Sequence, residues 1–309
     1  MVKQLDTRTR LLTEKPLKLM FSLSIPGILG MVVVALYNLM DSIFVGQMVG
    51  SIEMGAVSIS YPFTLINGGI ATLIGVGSAS ILSRAIGKKD KATMDKIMGN
   101  LVMMVFVLSL IVTVVGIIFT RQLLQFSGAS GEMLNQAESY LRIIFAGSLF
   151  INFTQSSNMV MRGQGLLKKA MLIIASGSIL NIILDPIFIS YFNQHGMGIE
   201  GAAYATLISQ ILQFFISVWY FTKKSDDLKI RKIRFEKDII PEVCSVGVSA
   251  MLMQVMTLVQ QTVIFNVASR YGGDTSLILL GAALRVQNFA FVPLWISTSC
   301  RNKLRCKAV

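Results

Sequence analysis

Acidic side chains are scarce in this chain of 309 residues, which carries 16 Asp and Glu against 28 Lys and Arg. Inside its long apolar stretches, away from their ends, only Asp41 and Asp185 remain. Cysteine is rarer still. Cys244 lies in an apolar stretch and Cys300 and Cys306 lie near the C-terminus, a distribution that gives neither a disulfide framework nor metal-ligand spacing. The single histidine, His195, stands beside Gly196 in a predicted loop and reads as a surface residue. A cleavable signal peptide is not expected, because the first apolar run is too long for an h-region and no small-residue cleavage site comes after it. Charged residues make up 14% of the chain, too few to clothe a soluble domain of this size.

What the chain has in abundance is apolar sequence: 53% hydrophobic residues, with a mean hydropathy of +0.66. Apolar runs of about 20 residues read as membrane spans. Eight are predicted, at 17–46, 53–83, 96–120, 136–160, 169–192, 201–222, 240–269 and 276–295. Several exceed the bilayer thickness, which implies tilt or protruding ends. The fold class expected is an all-α polytopic membrane protein.

The formal charge of +12 is distributed as topology. Lys3, Arg8, Arg10, Lys15 and Lys18 precede or open the first span; Arg84, Lys88, Lys89, Lys91 and Lys96 lie between spans two and three. Arg162, Lys168 and Lys169 come after span four, and Lys223, Lys224, Lys229, Arg231, Lys232, Arg234 and Lys237 after span six. The alternate loops carry Arg121 and Arg270. By the positive-inside rule this places the N-terminus in the cytoplasm. A nucleic-acid partner is not expected.

A polar segment, 223–238, separates a six-span lobe over 1–222 from the C-terminal third and reads as a basic cytoplasmic linker. Beyond it, 239–295 weakly echoes the first two spans. Pro26 falls opposite Ser249 and Asn38 opposite Gln261; after three extra loop residues, Gly55-Ala56 falls opposite Gly281-Ala282. That is the signature of a parallel repeat. Position 41 maps to Ile264, so only the first half carries the carboxylate. From 296 to 309 the pattern breaks into a polar, cationic tail, and the expectation is a truncated protein with about two spans of a second lobe.

A carboxylate at bilayer depth costs about 2.5–3.5 kcal/mol on insertion scales, so each needs a partner or a function. Residues four apart share a helix face. Tyr37 therefore aligns with Asp41, Asn38 lies adjacent, and Asn181 aligns with Asp185. Carboxylate, amide oxygen and hydroxyl form a hard oxygen set suited to a monovalent cation or a proton. Pro186 is expected to free backbone oxygen near Asp185, and Pro26 to free the carbonyl of Ser22. The plainer alternative is polar packing between helices, but hydrogen bonds of that kind average only ~0.6 kcal/mol. Gly68, Gly69, Gly75 and Gly77 predict close helix packing along the second span.

Several segments together resemble the multidrug and toxic compound extrusion (MATE) family, of DinF/NorM-like type. They are Pro26-Gly27 with Asp41-Ser42-Ile43-Phe44-Val45-Gly46; Met54-Gly55-Ala56-Val57-Ser58 through Tyr61-Pro62; and Ser83-Arg84-Ala85-Ile86-Gly87. Asn158 to Gly165, Asn181 to Pro186 and Gly201-Ala202-Ala203-Tyr204-Ala205-Thr206 complete the set. The resemblance implies the six-helix N-lobe of a twelve-helix fold plus about two helices of the C-lobe. It implies a plasma-membrane antiporter, driven by Na⁺ or H⁺, that exports cationic and aromatic compounds, with no enzymatic activity, no other cofactor and no obligate protein partner. The family's cation site carries over as Asp41, Asn181, Asp185 and Thr206, with Asn158 lining the same cavity and Na⁺ as one candidate ion. A lipid-linked saccharide flippase of the same superfamily is the alternative; it would line its cavity with cations, whereas the cations within spans here are Arg142 and Arg285. An intramembrane aspartyl protease is disfavoured, since Met40 and Leu184 precede the two acids. The missing C-lobe predicts an inactive chain. A one-nucleotide shift in a degenerate coding string for Cys300 to Ala308 restores a Gly-x-Asn-x-Gly-Ala pattern similar to the family's eighth helix, so a frameshift is the expected cause.

Overall fold

A computed structural model of the chain describes the backbone over 16–225, 235–236 and 238–305, and side chains within that range from Gly30 to Phe291. The side chains of Ser22, Pro26, Cys300 and Cys306, and most of the basic linker, lie outside the described residues. Among the described residues eight α-helices succeed one another: α1 Pro16–Met48, α2 Ser51–Lys88, α3 Lys91–Phe126, α4 Gly131–Ala146, α5 Ser148–Gly163, α6 Leu167–Asn193, α7 Gly198–Trp219 and α8 Ile240–Arg305. A π-helical turn, Tyr220–Lys224, extends α7 toward the linker. Six of these segments are long and apolar enough to cross a bilayer.

The fourth expected span, 136–160, is two helices. α4 and α5 have 16 residues each and meet at Gly147, whose N–H reaches the carbonyls of Ile143 and Ile144. Sixteen residues rise about 24 Å, short of a hydrocarbon core of about 30 Å, so the pair crosses together. The break sits where α7 presses in: a Cβ on Gly147 would stand 2.6 Å from Leu207.

α8 carries both predicted C-terminal spans, divided at Gly273, where φ is 60° and ψ −160°. The first arm, 240–272, runs antiparallel to α2, bringing Val243 to Gly77, Gly247 to Leu73 and Met251 to Gly69. After Gly273 the chain returns, bringing Ile278 to Gly55 and Gly281 to Ser58. α2 is thus straddled by a hairpin. The tail expected from 296 continues as helix to Arg305, across a stretch with no Gly or Pro to stop it.

Lipid supplies little hydrophobic drive between helices, so association rests on close packing and buried polar bonds. α2 shows both. A Cβ on Gly77 would strike the carbonyl oxygen of Val243, and one on Gly247 the carbonyl oxygen of Leu73. Asn152 of α5 donates to Asn67 of α2 at 3.3 Å and to Ser109 of α3 at 2.9 Å. Apolar residues fill both ends, with Phe63, Leu141, Phe145 and Phe265 at one and Leu82, Leu101, Val160 and Phe221 at the other. Phe106, Leu110, Val114, Ile118 and Phe119 form an exposed apolar face on α3, where a lipid-facing surface belongs.

At the linker end, Arg84 pairs with Glu242 at 2.7 Å, Lys96 with Glu236 at 3.5 Å, and Lys169 donates to Tyr220 at 3.2 Å. Arg84, Lys96 and Lys169, three of the predicted cytoplasmic cations, therefore share one end of the molecule. Asp90 caps α3 there, accepting from the Thr93 N–H at 3.1 Å and its hydroxyl at 2.6 Å, which holds its carboxyl below the usual range.

Candidate functional site

α1, α6 and α7 converge around the two intramembrane acids. Asp185 is fully buried on α6, with Pro186 inside the same helix. One turn earlier, the Asn181 amide donates to Asp185 Oδ1 at 2.9 Å and to Thr206 Oγ1 of α7 at 3.2 Å. Both amide hydrogens are thereby used. Asn181 Oδ1 and Asp185 Oδ2 are buried and accept no hydrogen bond among the described residues.

Asp41 faces this group from α1 at 6% exposure. Its Oδ1 is likewise buried without a donor among the described residues, and its Oδ2 stands 3.9 Å from the Arg285 guanidinium. The two carboxylates lie within electrostatic reach of each other. Arg285 comes from the second arm of α8 and donates to the Asn38 carbonyl at 3.0 Å. With both acids ionised, two carboxylates and one guanidinium would carry one net negative charge. Three buried oxygens accept no hydrogen bond among the described residues, and hard oxygens of this kind are the acceptors a monovalent cation or proton takes, since an isolated buried charge is costly until paired.

The other predicted residues divide. Tyr37 stands within electrostatic reach of Asp41, Asp185, Tyr61 and Arg285. Asn38 contributes its carbonyl to Arg285, but its side chain is exposed and bonds the Val34 carbonyl of its own helix at 2.9 Å. Asn158 is not brought to the acids. Its amide donates to the Ala170 carbonyl at 2.6 Å and accepts from Arg162 at 2.9 Å. Ala170 lies about 16 Å along α6 from Asn181, at 1.5 Å per residue. His195 is exposed at the α6–α7 turn, its Nδ1 3.3 Å from the Tyr191 carbonyl.

Sequence reasoning missed two residues. Tyr140 of α4 is buried within electrostatic reach of Asp41, Tyr37, Arg285 and Asp185. Its spacing from Ala137 and Ile144 marks the core face of α4, but nothing local says which charged groups lie near that face. Arg285 was visible as a cation within a span; its meeting with Asp41 depends on the return of α8 at Gly273.

The MatE family model matches residues 26–187, just over half of the chain. Multidrug export protein MepA of Staphylococcus aureus (strain MRSA252) is 27% identical over 304 residues, covering 94% of this chain and 66% of its own length. Among solved structures, the MATE multidrug transporter DinF-BH, solved with a bound compound, superposes with a TM-score of 0.85 at 32% identity, covering 92% of this chain and 63% of that one. A MOP-superfamily transporter from Pyrococcus furiosus, whose reversed pocket polarity suggests a different function, gives a TM-score of 0.81 at 31% identity over 94% of this chain and 64% of its own. The chain therefore spans about two thirds of the length of these relatives.

Proposed function

The chain belongs to the MatE family of membrane transporters, and from that premise we propose that its α1–α6–α7 site binds the coupling cation of an antiporter for cationic and aromatic compounds. The observation that supports this is the set of three buried oxygens, Asp41 Oδ1, Asn181 Oδ1 and Asp185 Oδ2, that accept no hydrogen bond among the described residues. These oxygens and Thr206 Oγ1 are the atoms that would hold Na⁺; for a proton, the Asp41 and Asp185 carboxyls are the acceptors. The bound cation supplies one positive charge, which cancels the charge left by two acids and one guanidinium.

Arg285 gives the cation a competitor. It approaches Asp41 from α8, whereas Asp185 and Thr206 belong to the first lobe. Cation arrival weakens the pull of Asp41 on Arg285, and so on the hairpin that carries it. In a full-length transporter carrying this lobe, export would then result from two lobes rocking about the site. The names of relatives, a multidrug export protein and a multidrug transporter solved with a bound compound, support drug-like cargo. A flippase would present cationic groups to pyrophosphate, but Arg285 already lies beside a carboxylate.

Cation binding to the purified chain tests the assignment directly. Radiolabelled Na⁺ binding and proton uptake, measured on one preparation, should show about one monovalent cation per chain, lost in Asp41→Asn and in Asp185→Asn. Wild-type stoichiometry in both variants would overturn the site.

A further inference from the structure

At the end of the molecule opposite the linker, α3 and α4 share an ionic cluster that the cation site does not use. Glu138 Oε2 lies 2.7 Å from Arg121 of α3, and Glu138 Oε1 lies 2.7 Å from Arg142, one turn further along α4. The carboxylate is 13% exposed, while the two arginine side chains are 50% and 52% exposed. One acid is thus covered by two guanidiniums, and the cluster keeps a net positive charge. Each guanidinium has five N–H donors in a planar fork. Glu138 occupies only part of each, and Asn135 takes a further contact from Arg121 at 3.5 Å.

The depth of the cluster is set by its surroundings. α3 presents Phe106, Leu110, Val114, Ile118 and Phe119 outward, and Arg121 comes directly after them. Thr113 of α3 donates to the Phe145 carbonyl of α4 and Gly116 packs on the Phe145 ring, so Arg142 leaves its helix at the level of the last apolar turn of α3. Helical side chains lean toward the helix N-terminus, which carries the Arg142 guanidinium back up to Glu138 at the polar boundary. The result is a cationic fork above a continuous apolar stripe. A soluble anion uses only the fork; a phospholipid uses both.

We infer that Arg121 and Arg142, bridged by Glu138, bind the phosphodiester headgroup of a phospholipid whose acyl chains lie along the exposed face of α3. Glu138 sets the fork geometry and removes one of the two positive charges, leaving a match for one phosphodiester anion. Paired guanidiniums recognise phosphate oxygens through parallel N–H bonds, which lysines in the same places do not reproduce. The site is independent of the cation site and of any transport activity.

Native mass spectrometry of the detergent-purified chain, counting retained phosphatidylglycerol, tests this. The wild-type chain should retain one more lipid than Arg142→Gln, a variant that leaves the Arg121–Glu138 link between α3 and α4 in place. Thermal unfolding adds a second readout. Phosphatidylglycerol should stabilise the wild-type chain more than diacylglycerol does, and that difference should vanish in Arg142→Gln. Equal retention by wild type and Arg142→Gln, or an equal shift with free glycerol phosphate, would overturn the proposal.

Discussion

Asp41 and Asp185 lie on helices that, among the described residues, provide fewer donors than their oxygens can accept, and the proposed cation chemistry rests on this deficit. Replacing either acid with Asn keeps its size and removes its charge. In a full-length transporter carrying this lobe, Asp41→Asn should therefore abolish cation-driven ethidium efflux while membrane insertion stays normal; efflux at the wild-type rate would exclude Asp41 as a carrier. Arg285 should behave in the opposite sense. A guanidinium 3.9 Å from Asp41 is worth about 4 kcal/mol at an effective dielectric of 20, before the costs of desolvation and side-chain ordering. If a third of that acts against the cation, about 1.4 kcal/mol, Arg285→Gln should tighten cation binding roughly tenfold. Unchanged or weaker affinity on titration would show that Arg285 does not compete. Asn181 is the third test. Its amide spends both hydrogens on Asp185 and Thr206, so Asn181→Ala leaves buried acceptors without donors, at about 1–3 kcal/mol, and removes a ligand oxygen as well.

Helices impose their own constraints, and two of them rest on glycine. At Gly273 the backbone takes φ 60° and ψ −160°, a region closed to residues with a Cβ. Gly273→Ala should cost about 1–3 kcal/mol and favour a straight α8, which would withdraw Arg285 from Asp41; a lowered unfolding temperature with altered cation affinity is the expected pair of results. At the α2–α8 seam, Gly247→Leu should separate the helices and destabilise the chain by about 1–3 kcal/mol, since even a Cβ would strike the Leu73 carbonyl. The break between the last two spans was legible from their bounds, 240–269 and 276–295, with Arg270 in the loop, as were the spans that became α1, α2, α3, α6 and α7. The break at Gly147 was not. Glycine is ordinary inside membrane helices, and the pressure that divides this one comes from Leu207, sixty residues away. Asn158 shows a similar limit. Helical spacing gives the face of an amide, but not whether a nearby carbonyl has already claimed it.

For the whole molecule, the question is how one lobe and the α8 hairpin hold together across a bilayer. At the linker end the contact includes the Arg84–Glu242 pair, with both side chains about half exposed, an arrangement worth about 0–1 kcal/mol. At the opposite end, Asn266 donates to the Phe126 carbonyl and Ser269 to the Gly128 carbonyl, both at 2.7 Å. Neither end is bolted, and the tight glycine seam runs between them, so small shifts at either end are cheap. We propose the orientation in the membrane from the same two ends. Arg84, Lys88, Lys96, Lys169 and Lys224 gather at the linker end, and cations in short loops remain on the cytoplasmic side during insertion. Lys88 and Gln194 are exposed at opposite ends, which makes them suitable reporters once Cys244, Cys300 and Cys306 are replaced by Ser. A cysteine at Lys88→Cys should escape a membrane-impermeant thiol reagent in intact cells and react after lysis. Gln194→Cys should react in intact cells. The reverse pattern would invert the topology, turning the linker outward and placing the Arg121–Glu138–Arg142 cluster against the inner leaflet.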